Sequence, residues 1–255
     1  MSKILQTNKL CKKVTSGKGT VQKILKNVDF SVDQGEFVSV MGPSGSGKST
    51  LLYNISGMDR MTSGSVEFNG KELSGMTEQD LSKLRLHEMG FIFQHIYLLK
   101  NLNIFDNIIL SARLAKRENH STIRERALRL LKQTGIEELV DHDITQASGG
   151  QLQRVGICRS LINNPQVIFG DEPTGALNSR ATQEIMELIG DINQSGTTVM
   201  IATHDVKVAA RSERVLYMLD GEMIGQKRIG KYDKKKKNER QREEQLTCWL
   251  EENGL

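Results

Sequence analysis

Gly42-Pro43-Ser44-Gly45-Ser46-Gly47-Lys48-Ser49-Thr50 is the stretch on which the reading of this 255-residue chain turns. Gly42, Gly47, Lys48 and Ser49 stand at the spacing G-x-x-x-x-G-K-[ST]. The run behind it, Phe37-Val38-Ser39-Val40-Met41, is short and mostly apolar, as a buried strand is; ahead of it, Leu51, Leu52 and Ile55 mark a helix. Strand, glycine-rich loop and helix in that order make a phosphate cradle. The glycines let the backbone curl until successive N–H groups point inward, and the helix N-terminus adds partial positive charge. Lys48 is placed to reach phosphate oxygens, and the Ser49 hydroxyl to ligate magnesium.

Working outward, Val167-Ile168-Phe169-Gly170-Asp171-Glu172 is an apolar strand ending in two carboxylates. In a parallel sheet, ligands sit at the carboxyl ends of strands. Asp171 is therefore expected near the metal held by Ser49, and Glu172 is expected to accept a proton from an attacking water or to orient it. Two surface acids after a strand explain the same residues equally well in isolation; the phosphate loop, whose metal needs an acidic partner, tips the choice. Gln94 ends Gly90-Phe91-Ile92-Phe93 and offers a neutral amide to metal or water. His204 follows Val199-Met200-Ile201-Ala202-Thr203. A lone histidine there is more often structural, and only the joint pattern makes it a contact for a terminal phosphate.

Strands and turns fill the first ninety-odd residues, with runs at 25–32, 64–68 and 90–93. Residues 103–135 turn helical: Ile123, Ala127, Leu130 and Leu131 share a face, Ser121 is the expected N-cap, and Gly135 is placed to end the helix. Another strand at 199–202 follows a helical face made by Ile185, Leu188, Ile189 and Ile192, closed by Gly196. Strand–helix alternation of this kind predicts a parallel sheet covered by helices.

Hydrophobic content of 37% and charged content of 26% are ordinary for a globular protein, and a net charge of +4 is too mild to indicate nucleic acid. Cys11, Cys158 and Cys248 are odd in number and too widely spaced for a metal, so reduced thiols in a cytosolic setting are expected. The first thirteen residues lack the apolar stretch of a signal peptide, and no window approaches a membrane span. The lysine run at 234–237 lies in a nearly apolar-free segment, expected either as a solvated surface or as a contact with anionic headgroups. Leu246, Trp249 and Leu250 then form a small apolar face expected to dock on this chain or a neighbour.

Ala147-Ser148-Gly149-Gly150-Gln151-Leu152-Gln153-Arg154 lies between the loop and the acidic strand end. Two glycines and a serine opening a helix make a second anion site. The order of phosphate loop, glutamine, Ser-Gly-Gly-Gln, Asp-Glu and histidine resembles the ATP-binding cassette of ABC transporters, over roughly residues 4–225. That resemblance implies a P-loop α/β fold: a RecA-like parallel core with an N-terminal antiparallel β subdomain and an inserted helical subdomain at about 96–160. The cassette would span residues 1–230, with 231–255 a charged tail or helix. It also implies ATP and Mg2+ as ligands and a head-to-tail homodimer. In that dimer the loop from Gly42 to Thr50 of one copy faces Ser148, Gly149, Gly150 and Gln151 of the other. Residues Ser49, Gln94 and Asp171 would serve the metal, and Lys48, Glu172 and His204 the chemistry. A membrane permease would be the other partner, holding the chain at the cytoplasmic face of the membrane. Coiled-coil chromosome ATPases share both motifs, but only about fifty residues separate Gln94 from Ser148 and no heptads are seen.

The run Asp171-Glu172-Pro173-Thr174-Gly175-Ala176-Leu177-Asn178-Ser179 resembles the branch holding macrolide exporters, lipoprotein-release ATPases and the cell-division ATPase. Its Leu177-Asn178-Ser179 form, with the ending Trp249-Leu250-Glu251-Glu252, is most similar to Gram-positive bacitracin and lantibiotic resistance transporters. There are departures. Thr15 stands where the family stacks an aromatic on adenine, with no Tyr, Phe or Trp before Asp29. Ala147 replaces the usual Leu, and Asn178 the usual Asp.

Overall fold

The computed structural model describes residues 2–15, 17, 19–236 and 238–254, with Lys235 described by its backbone alone. Lys237, the last of the lysine run, lies outside the described residues. The chain opens with two long strands, β1 (Lys3–Thr15) and β2 (Val21–Asp33), followed by the short β3 (Phe37–Met41) and α1 (Lys48–Ile55). Next come β4 (Ser63–Phe68), β5 (Lys71–Glu72), α2 (Glu78–Glu88) and β6 (Met89–Phe93). Three helices follow, α3 (Ile104–Ala115), α4 (His120–Gln133) and α5 (Gly149–Leu161). The remainder alternates: β7 (Val167–Asp171), α6 (Ser179–Gln194), β8 (Thr198–Thr203), α7 (Val206–Ala209), β9 (Arg214–Leu219), β10 (Glu222–Arg228) and α8 (Glu239–Glu252).

All parts of the expected architecture are present. β2-β1-β4-β5 form an antiparallel sheet, and β10-β9-β3-β8-β7-β6 form the second, parallel from β9 to β6. Every residue of β3 and β8 is buried, the pattern of strands covered on both faces. One core joins the two sheets across α1, through Leu10, Leu25, Val28, Leu51, Leu52, Ile55 and Phe68. α6 packs the opposite face with Ile185, Met186, Ile189 and Ile192.

α3, α4 and α5 carry a core of their own, from Ile104, Ile108, Ile123, Ala127, Leu131 and Cys158. The expected helical stretch at 103–135 is two helices, because Lys116 turns left-handed at φ 52° and ends the first. The cap of the second is Asn119 and not Ser121. The Asn119 carboxamide oxygen accepts the Thr122 N–H at 2.9 Å and the Ser121 hydroxyl at 2.7 Å, which draws Ser121 into the first turn.

The apolar face of the C-terminal segment docks on the chain itself. Leu246 and Leu250 are buried against Met41, Ala209, Val215 and Tyr217, and the Trp249 ring meets Tyr217 edge-on. The buried Arg242 guanidinium donates to the carbonyls of Ala210, Ser212, Ile229 and Gly230 at 2.7–2.9 Å. Lys234 pairs with Asp191 at 2.8 Å, so this member of the lysine run lies against α6.

Candidate active site

Strand register assembles the site. Phe93 pairs with Asp171, Asp171 with Ala202, and Met41 with Thr203. The residues leaving these strands, Gln94, Glu172, His204 and Gly42, therefore emerge side by side on the carboxyl edge of the sheet. The ladder runs one step further: the Gln94 N–H donates to Asp171 O at 2.9 Å, and the Glu172 N–H to Ala202 O at 3.0 Å.

The loop that follows β3 is shaped by two demands on glycine. A Cβ at Gly42 would lie 2.1 Å from the Met218 carbonyl oxygen, and φ there is +151°. Gly47 sits at φ +102° as the N-cap of α1 and brings no side chain to cap it. The first amides of α1 are left to an outside acceptor. The Ser46 hydroxyl is buried without a hydrogen-bond partner, 2.8 Å from where a Gly42 Cβ would stand. Lys48 is buried, and its ammonium donates to the Gly42 and Pro43 carbonyls at 2.8 and 2.9 Å. Burial pulls its pKa below the ordinary value, against the opposing pull of the Glu172 and Asp171 carboxylates. Pro43, Ser44 and Gly45 are exposed, whereas Ser49 and Thr50 are half-buried. A curled, cationic loop with uncapped amides and an orphaned hydroxyl fits a bound polyphosphate.

Beside it, Asp171 is held from one helix. The Ser49 hydroxyl donates to one carboxylate oxygen and the Tyr53 hydroxyl to the other, each at 2.7 Å. Burial, with the Asp171 carboxylate behind it, pushes the Tyr53 phenol far above its ordinary pKa, so it remains a donor. Hydroxyl and carboxylate are hard oxygen ligands that suit magnesium. Among the described residues no cluster of three or more His, Cys, Asp or Glu could hold a metal unaided. A magnesium ion here must therefore share its shell with phosphate or water, as that ion commonly does.

Glu172 adopts a left-handed backbone, φ 47°, uncommon outside glycine. Its N–H bond to Ala202 and a bond from the Gly175 N–H to its carbonyl at 3.0 Å hold it there. Its carboxylate accepts from His204 Nδ1 at 2.9 Å, which leaves Nε2 available. The Gln94 amide lies over Gly175, where an added Cβ would meet its Nε2 at 3.0 Å.

Ser148, Gly149, Gly150 and Gln151 are not brought to this cluster. Ser148 caps α5 in a closed box: its hydroxyl accepts the Gln151 N–H at 3.4 Å, and the Gln151 side chain accepts the Ser148 N–H at 2.9 Å. Among the described residues no hydrogen bond ties residues 148–151 to residues 42–50. Ser148 and Gly149 face solvent. One link back to the site is Gln153, buried one turn later; its amide donates to Phe93 O and Pro173 O at 3.3 and 2.7 Å. Gln153 and Tyr53 are the residues that sequence reasoning left without a role. For Tyr53 a signal existed, since it lies four residues after Ser49 on the same helical face.

Asn178 caps α6, accepting the Ala181 N–H at 2.9 Å, so the cap survives the loss of a charge. Thr15 is exposed at the end of β1 and pairs with Val21. No helix among the described residues is long and apolar enough to cross a membrane.

Comparison with known proteins agrees with this geometry. The model of the family described as ABC transporter matches residues 25–175. A macrolide export ATP-binding/permease protein of Hahella chejuensis is 45% identical over 201 residues, 79% of this chain and 31% of that longer protein. The lipoprotein-releasing system ATP-binding protein LolD 2 of Rhodospirillum rubrum is 42% identical over 205 residues, covering 80% of this chain and 89% of that one. Among solved structures, a dimeric ATP-binding cassette in a post-hydrolysis state with ADP and phosphate superposes with a TM-score of 0.83 at 37% identity, over 89% of this chain and all of that one. The cbiO1 component of an ABC transporter complex from Clostridium perfringens gives 0.79 at 31% identity, over 89% of both chains. The chain belongs to the ABC transporter family, as an ATPase of the type found in the macrolide-export and lipoprotein-release cassettes.

Proposed function

We propose that two copies of this chain close head to tail on two ATP molecules and that their closure drives a membrane permease. The observation that carries the reading is the register placing Gly42, His204, Glu172 and Gln94 at neighbouring strand ends. Amides from the loop at 42–50 and the Lys48 ammonium bind the phosphates. Ser49 and Asp171, with Gln94 beside them, would hold a magnesium ion, which when bound would supply charge withdrawal from the terminal phosphoryl group. Glu172 takes a proton from water as the water oxygen bonds to the terminal phosphorus. The bond to the bridging oxygen breaks, leaving ADP and phosphate. His204, held through Nδ1 by Glu172, would donate to the phosphoryl charge from Nε2 once both ring nitrogens carry a proton. Ser148, Gly149, Gly150 and Gln151, at the N-terminus of α5, serve the ATP of the second copy, which accounts for their separation from this chain's own loop.

Glu172→Gln tests this directly. It keeps the shape of the side chain and removes the base, for an expected fall in turnover of about a hundredfold or more. The variant should still bind ATP and elute as a dimer with it in gel filtration. Turnover at the wild-type rate would end the assignment.

For the cargo, our reading is an antimicrobial peptide, removed by the permease from the outer membrane face or exported. The support is the Leu177-Asn178-Ser179 form and the docked ending with Trp249-Leu250-Glu251-Glu252. The basic residues around Lys234 would add contact with anionic headgroups at the cytoplasmic face. Loss of the gene should then lower the bacitracin or lantibiotic concentration that the cell survives. An unchanged threshold would favour the alternatives of lipoprotein release or a non-transporting regulator of cell-wall hydrolysis.

A further inference from the structure

From the contact at Asp171 we infer that Tyr53 is a positioning residue for the metal, holding the Asp171 carboxylate in the orientation that magnesium needs. The inference rests on the reading of the site given above. α1 runs from Lys48, and Ser49 and Tyr53 lie four residues apart on one face of it. Asp171 stands at the end of β7, opposite that face. Each of its carboxylate oxygens accepts one hydroxyl from α1, both at 2.7 Å. Bonds of that length to an ionised acceptor are the stronger kind. With Ser49 alone, the carboxylate would be anchored at one oxygen and could swing about its Cβ–Cγ bond. With Tyr53, its plane is set at two points.

The consequence is geometric. The helix that carries Lys48 and Ser49 also sets the attitude of the acid on a strand two positions away in the sheet. β8 lies between β3 and β7, so without this clasp the acid's position relative to the loop would be transmitted only through the sheet. The Tyr53 ring is half-buried and packs against the core beneath the loop. That packing limits where its hydroxyl can go. Partners that orient a metal ligand from behind commonly change metal affinity by about tenfold or more when removed.

The experiment compares wild type with Tyr53→Phe in the full chain. AMP-PNP, which is not hydrolysed, is bound in EDTA and then across a series of free Mg2+ concentrations, and the melting temperature of the nucleotide-free protein is read alongside. The expected result is unchanged AMP-PNP affinity in EDTA, an unchanged melting temperature within a few degrees, and a Mg2+ midpoint raised by about tenfold. A midpoint equal to wild type would overturn the inference. So would a loss of AMP-PNP affinity in EDTA or a large fall in melting temperature, either of which would make the ring merely structural. Should wild-type affinity itself fail to rise with Mg2+, the reading of the whole site would fall, and the role given to Tyr53 with it; a wild-type rise that Tyr53→Phe leaves unchanged would overturn the Tyr53 role alone.

Discussion

Leu246→Ala probes whether the C-terminal helix is part of the folded core. Leu246 is fully buried, against Met41, Ala209, Val215 and Tyr217. The substitution removes Cγ and both Cδ carbons, a transfer loss of about 2.4 kcal/mol at ~0.8 kcal/mol per carbon. A residual cavity adds to that, giving about 3 kcal/mol in total. For a chain of this size about 2–4 °C is lost per kcal/mol, so a melting temperature lower by roughly 6–12 °C is expected. Urea unfolding separates two ways of losing that stability. If α8 stays docked over a cavity, the midpoint falls and the slope holds. If α8 lets go, the slope also falls, because the native state already exposes this surface. Amide exchange at residues 239–252 reports the second case. Leu114→Ala, at a position 62% exposed on α3, is the control and should cost under about 0.5 kcal/mol. A Leu246→Ala protein that melts like the control, with unchanged exchange in α8, would refute the packing argument.

Three further outcomes follow from the same structure. Copies carrying Lys48→Ala should regain ATPase activity when mixed with copies carrying Ser148→Arg, since the mixed dimer keeps one intact site; activity that stays at the level of either variant alone would count against the head-to-tail arrangement. Thr15→Tyr should tighten ATP binding by about 1–3 kcal/mol if base stacking is what the exposed end of β1 lacks, and isothermal titration reads this; equal affinity would mean that adenine sits elsewhere. Burial pushes the Cys158 thiol up to about 12, so iodoacetamide at pH 8 should modify the exposed Cys248 and leave Cys158 untouched until the protein unfolds. The sign for stability follows: the unfolded thiol releases its proton from about pH 8.5, so the contribution of Cys158 is whole below that pH and is lost as the pH climbs toward 12.

What could be read from the sequence was whatever a local rule decides. The loop at 42–50 was legible because its work is done by backbone, which only glycine at Gly42 and Gly47 permits. β7 and β8 were legible because strands buried on both faces are apolar without interruption. α2 was not foreseen: it is mostly polar, with Leu81, Leu84 and Leu86 its apolar residues and only the first two buried, too few to announce a period. Its Thr77 cap, which accepts the Asp80 N–H, was the signal to look for. Asn119 and Ser121 are both good caps, and their competition is settled by reach. The part played by Tyr53 depends on how α1 faces β7, a relation between distant segments that no local pattern carries. The site's cluster was inferred from motif order, whereas its alignment rests on strand register that only the fold displays.

The strand that precedes the phosphate loop has neighbours that are made much later. Met41 pairs with Thr203 on one side and Tyr217 on the other, and Leu246 and Leu250 close over it. As the chain leaves the ribosome, the loop at 42–50 emerges well ahead of Leu246 and Leu250, which complete the bed beneath it. Nucleotide therefore meets no finished bed until those residues have been made. By binding only the assembled bed, nucleotide stabilises the fold in which Thr203, Tyr217, Leu246 and Leu250 are in place over any in which they are not.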